Sequence, residues 1–274
     1  MNKQIFFARI LFLGLVINVA STLHAQEADE SVYFTDFRNR KWLIELPLWI
    51  PGFQGKLVYG SFDSSSSGDD EEREFERLTG NPDLEFYVVG RIVANYDKWW
   101  FQADLFSGKV STVFTYEALV GAGEKEFFRL AVQGTVPRLI AGYTVWEQQT
   151  ANHFAVAIVP YTGIRYAYID LESQFLDSSL AIDTEPNWFE PVFGLYVPLD
   201  YKRFRFEGQG DFGINKAKQS WQVNTRLRYR LSKLVDVQLG WTYLNLSHET
   251  SIESKEFDLD LILAGPTAGV GFRF

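Results

Sequence analysis

The chain has 274 residues, 46% hydrophobic and 16% aromatic, with no cysteine and a formal net charge of −9 at pH 7. That is too apolar for a disordered chain, and its acidic balance disfavours nucleic acid as a partner. Without cysteine there is no disulfide framework, no thiolate metal site, no cysteine nucleophile and no lipidated N-terminal cysteine. Mean hydropathy is slightly negative despite the aromatic load, so apolar residues must be interleaved with polar ones, unlike a helical membrane protein.

The chain opens with Lys3 and Arg9 ahead of an apolar stretch from Ile10 to Ala20, followed by Ser21, Thr22, Leu23, His24 and Ala25. This pattern predicts a secretory signal peptide over 1–25, cut after Ala25, because the apolar stretch falls short of the roughly 20 residues of a spanning helix. Processing leaves 24 basic against 35 acidic residues and a net charge of −11. Residues 26–40 read as a polar tail and 41–274 as the folded domain.

From Lys41 onward the period is two, the signature of strands. Val235, Val237, Leu239, Trp241 and Tyr243 share one face, and Asp236, Gln238, Gly240 and Thr242 the other. Trp221, Val223, Leu227 and Tyr229 likewise alternate with Gln222, Asn224, Arg226, Arg228 and Arg230, and Phe204, Phe206 and Phe212 with Arg205, Glu207, Gln209 and Asp211. Ten strands are predicted: 41–59, 84–96, 98–116, 126–146, 153–171, 188–199, 202–213, 219–231, 234–248 and 256–274. Long loops (60–83 and 172–187 above all) alternate with short turns, which places both termini on the short-turn side.

A secreted β-sandwich would also alternate. Here, however, the apolar face is rich in Trp, Tyr and Phe while the polar face gathers opposite charges. With a secretion signal and an even strand count, this predicts an all-β, antiparallel up-and-down transmembrane barrel with lipid outside, a polar lumen inside and both termini periplasmic. The expected location is the cell outer membrane. Read by alternation, Pro51-Gly52 and Ala264-Gly265-Pro266 reverse the facing parity of the first and last strands, so a bulge is expected at each.

Six segments carry a resemblance: 49–55 (WIPGFQG), 163–166 (GIRY), 208–213 (GQGDFG), 229–232 (YRLS), 240–244 (GWTYL) and 265–274 (GPTAGVGFRF). Together they resemble a group of Gram-negative outer-membrane β-barrel proteins of unassigned activity, similar in general architecture to porin-like and OmpW-like small barrels. The resemblance speaks to fold and says little about chemistry. Val270, Phe272 and the terminal Phe274 also resemble the signal read by the outer-membrane assembly machinery.

A ten-stranded barrel encloses little more than side chains can fill. Counting through the turns sets Glu207 opposite Arg226 and Arg230 opposite Asp236. Glu45, Arg91, Asp104, Arg165, Glu190, Arg205, Arg228, Asp258 and Asp260 are also expected to face inward. Buried charges persist when paired, so a lumenal ion-pair network is expected to fill the barrel. The alternatives are a narrow channel lined by Arg226, Arg228 and Arg230, or a surface-binding, adhesin-like barrel acting through its long loops.

No catalytic residue, cofactor or metal ligand is expected. His153 falls at the short-turn rim. His248, beside Ser247 and Glu249, is the single position worth weighing for a rim hydrolase of the lipid A or protease type, but neighbours on a strand point to opposite faces and do not converge on it. The acidic loop 64–77 lacks the spaced ligands of a calcium loop and reads as a solvated surface. The expected partners are outer-membrane lipid, lipopolysaccharide and the assembly machinery, with a monomer as the expected state.

Overall fold

A computed structural model describes residues 41–61, 83–117, 125–150, 153–175, 181–215, 218–252 and 255–274. The segments expected to be a signal peptide (1–25) and a polar tail (26–40), the acidic loop 64–77 and most of the loop 60–83 lie outside the described residues. Thirteen strand segments follow in chain order: β1 (Lys41–Trp49), β2 (Gly52–Ser61), β3 (Asp83–Tyr96), β4 (Trp99–Glu117), β5 (Lys125–Tyr143), β6 (Trp146–Gln149), β7 (Phe154–Phe175), β8 (Ala181–Thr184), β9 (Asn187–Tyr201), β10 (Phe204–Asn215), β11 (Lys218–Arg230), β12 (Val235–Ile252) and β13 (Lys255–Arg273). Three pairs of segments share a stave: β1 with β2, β5 with β6, and β8 with β9. The result is a closed antiparallel barrel of ten staves.

Closure runs through β13, which pairs with β12 on one side and with both β1 and β2 on the other. Trp42 and Phe274 exchange reciprocal backbone hydrogen bonds of 3.2 and 2.9 Å at the end of this seam. Both described chain ends therefore lie at the rim that carries the short turns. Two of those turns are held by non-glycine residues with positive φ, Asp97 at 52° and Lys202 at 53°.

The two expected bulges are absent. Trp49 pairs with Thr267 and Gly52 with Ala264, so the ladder passes Pro51 without an inserted residue. β13 likewise pairs with β12 without a register shift from Lys255 to Phe272. The irregularity lies instead in β3, between Leu84 and Phe86. The loop expected over 172–187 is partly strand, because β7 runs to Phe175 and β8 pairs with it.

Parity in β13 is constant, with Leu259, Leu261, Leu263, Gly265, Gly269, Gly271 and Arg273 all buried. The three leucines point inward and Asp260 falls on the outer face, opposite Lys56 in the ladder, which corrects the expected placement of Asp260 in the lumen. The side chain of Asp258 lies outside the described ones. The cause is an inversion along the strands. Toward the short-turn rim, β12 turns Val237, Leu239 and Trp241 outward and Asp236 and Gln238 inward. Toward the long-loop rim it turns Leu244, Leu246 and His248 inward and Asn245 and Glu249 outward.

This inversion divides the barrel into two storeys. The nineteen residues of β13 span about 50 Å along the axis at ordinary strand rise and tilt, roughly twice the ~25 Å apolar band of a membrane barrel. The lower storey has an apolar exterior bordered by exposed Trp42, Tyr96, Trp99, Tyr201 and Phe274 below and by the stacked Trp221–Tyr243 pair above (4.3 Å). The upper storey is a collar built like a soluble barrel, with an apolar core of Trp49, Val132, Val136, Ala167, Ile169, Leu171, Trp188, Leu244, Leu246, Leu259, Leu261 and Leu263.

Candidate functional site

Below the collar core the interior is filled by arginine and carboxylate side chains from the inward positions of all ten staves. In the upper layer, Asp104 on β4 accepts from Arg91 Nε at 2.5 Å, Arg138 Nε at 2.9 Å and Gln102 Nε2 at 2.6 Å. Arg138 and Arg165 both donate to Asp211, which also accepts from Tyr161 Oη at 2.8 Å. Arg165 Nη1 reaches Glu190 at 2.6 Å.

The middle layer centres on Glu45, fully buried on β1. It receives Arg91 and Arg226, each at 3.4 Å, and Arg228. Arg228 Nη2 also donates to Glu207 at 3.1 Å, and Tyr196 Oη donates to the other oxygen of Glu207 at 2.9 Å. In the lower layer Arg205 forms a two-pronged pair with Asp200 at 2.6 and 2.8 Å. Asp236 is shared by Arg273 at 2.6 Å, Arg230 at 3.5 Å and Arg228 at 3.7 Å. Arg91 thus joins the upper and middle layers, and Arg228 the middle and lower.

The structure places Glu45, Arg91, Asp104, Arg165, Glu190, Arg205, Glu207, Arg226, Arg228, Arg230 and Asp236 in this one interior, and the ladder pairs Glu207 with Arg226 and Arg230 with Asp236. It adds Arg138, Asp200, Asp211 and Arg273, which the sequence reading left out of the network. Arg273 and Asp211 were within reach of alternation, since each sits between residues of the outer face. Arg138 is a lone charge in an apolar stretch and Asp200 read as a turn residue, so neither carried a period-two signal. Val270, Phe272 and Phe274 fall on the outer face of the last stave.

Two cavities remain among these side chains. One, about 60 Å³, lies where the collar core meets the upper layer, between Trp49, Phe106 and Leu244 on one side and Arg91, Arg138 and Arg226 on the other. The second, about 30 Å³, lies beside the middle and lower layers. His248 is not at an open rim: it is buried and stacked on Trp188, ring centroids 4.4 Å apart and 6° from parallel. His153 occupies a short-turn position with φ of 58°. Among the described residues no group of three or more His, Cys, Asp or Glu is arranged to hold a metal ion.

The chain aligns over 88% of its length with 98% of the outer-membrane protease OmpT from Escherichia coli, at 11% identity and a TM-score of 0.51. The fold is that of a Gram-negative outer-membrane β-barrel. The translocator domain of the autotransporter NalP from Neisseria meningitidis (9% identity, 99% of this chain and 98% of that one, TM-score 0.43) and OprG from Pseudomonas aeruginosa (10%, 86% and 97%, 0.36) are also similar, with lower agreement in shape. Neighbours of this fold therefore include a protease and outer-membrane proteins of other kinds. No known protein family and no curated protein matches the sequence.

Proposed function

We propose that this is an integral outer-membrane protein whose barrel is a closed, ion-paired scaffold holding a collar above the bilayer, rather than an open pore or an enzyme. The observation that carries the reading is the filled interior. Arginine–carboxylate layers occupy the membrane storey, an apolar core occupies the collar, and the cavities described between them hold no more than a few water-sized particles each. Charged layers of this density brace a narrow wall when their carboxylates are paired with guanidiniums. In this reading the signal peptide is removed after Ala25, both termini face the periplasm, and Val270, Phe272 and Phe274 are presented to the assembly machinery. The monomer sits in outer-membrane lipid and lipopolysaccharide.

The polar-faced collar favours a second reading in the same protein. Strands that continue well above the apolar belt, bearing exposed Glu172 and Glu249, suit a surface that meets external molecules. The test is reconstitution. Protein recovered from outer membranes, with Gln26 as its first residue by mass, is expected to give no steady conductance in planar bilayers. A reproducible open state would replace the scaffold with a selective channel through the arginine layers.

A further inference from the structure

We propose that the upper interior cavity is a binding site for one small neutral molecule of the short-chain alcohol class, held between the collar core and the upper arginine layer. The cavity measures about 60 Å³. At the roughly 10–15 Å³ that one water-sized particle requires, it admits a molecule of a few non-hydrogen atoms. The charge around it is already settled. Each of the four guanidiniums that line it has two carboxylate partners: Arg91 has Glu45 and Asp104, Arg138 has Asp104 and Asp211, Arg165 has Glu190 and Asp211, and Arg226 has Glu45 and Glu207. An ion would bring a further charge into this paired interior and bear the full cost of burying it.

Unpartnered polar atoms supply the independent observation. Trp49, Arg165, Asn224 and Gln238 all line the cavity and are 6% exposed or less, yet Trp49 Nε1, Arg165 Nε, Asn224 Nδ2 and Gln238 Oε1 have no hydrogen-bond partner in the protein. Buried donors and acceptors in this state are costly, and here both kinds occur around one space. A hydroxyl answers both with a single atom, because it donates once and accepts twice. On the collar side the lining includes Val89, Phe106, Val136 and Leu244, whose side chains offer no polar atom. A buried water needs about two to four polar partners, so a cluster filling the space would run short of them along that wall, where a methylene or two is well placed. Water is the competing occupant.

The experiment uses the whole barrel, folded with 2-bromoethanol present throughout so that no entry path is assumed. Crystals are expected to show one bromine anomalous peak inside the barrel, against Phe106 and Leu244. Bromoethane, which keeps the apolar end and lacks the hydroxyl, is expected to leave the cavity without bromine. In solution, heavy-atom quenching of tryptophan fluorescence by 2-bromoethanol is expected to contain a saturable part that comes from Trp49. Val89→Leu, which adds a methylene to the cavity wall, is expected to fold and to lose most of that saturable part. Ordered water alone in the 2-bromoethanol crystals, bromine only at exposed adventitious positions, equal occupancy by bromoethane, quenching that never saturates, or a saturable part that survives in folded Val89→Leu would overturn the proposal. The crystal measurement on the unaltered chain decides the matter even if the variant fails to fold. Because it reports occupancy and not conductance, its failure is distinguishable from failure of the closed scaffold in bilayers.

Discussion

Glu45 is a fully buried carboxylate on which three guanidiniums from β3 and β11 converge. Removing its charge leaves Arg91 to Asp104 and both Arg226 and Arg228 to the already shared Glu207, in a medium that solvates the excess positive charge poorly. Glu45→Gln is therefore expected to lower the unfolding free energy by about 3–5 kcal/mol, read from the urea midpoint of tryptophan fluorescence in lipid vesicles. Gly194 matters for the opposite reason, since it leaves room rather than filling it. The Tyr161 ring lies where a Cβ would stand, so that its hydroxyl reaches Asp211. Gly194→Ala should cost about 1–3 kcal/mol through overpacking, whereas Gly208→Ala, with nothing near the added atom, should leave the midpoint in place. At this scale the sequence was legible wherever a charge sat in a clear alternation close to a tight turn. The Ser232-Lys233 turn fixes Arg230 against Asp236 by counting alone, whereas Asp200 beside its own turn and Arg138 among apolar neighbours gave the count nothing to hold.

The strands explain why some facing assignments reversed. In a membrane storey apolar means outside, and in a collar above the membrane apolar means inside, so one strand crossing both storeys shows two opposite rules with a single unbroken pleat. Leu259, Leu261 and Leu263 obey the collar rule. Read by the membrane rule, they demand a bulge before Val270 that the ladder does not contain. The inversion also fixes where lipid should be sensed. Leu195 is exposed midway along β9, in the apolar belt. Leu195→Arg is expected to destabilise the barrel by about 2–4 kcal/mol in bilayers. The same change at Glu172, on the collar exterior, should be nearly silent in the same unfolding assay.

For the molecule as a whole, closure and filling are separate achievements. Strand number and the alternation of long and short connections were readable from the sequence because hydrogen-bond saturation in lipid allows only a closed sheet. The height of the collar was not, because the strands change their exterior from apolar to polar without any interruption that marks the bilayer surface. The expected electrical silence belongs to this scale, since it depends on the layers acting together and not on any one pair. The seam carries one more implication. Trp42 and Phe274, nearly the whole described chain apart, join the ring at its rim, so no smaller ring is available to a chain that stops early. A prematurely terminated polypeptide would present two bare sheet edges, the condition that invites sticking to other copies. Closure of the sheet therefore waits on β13, the stave that joins β12 to β1 and β2.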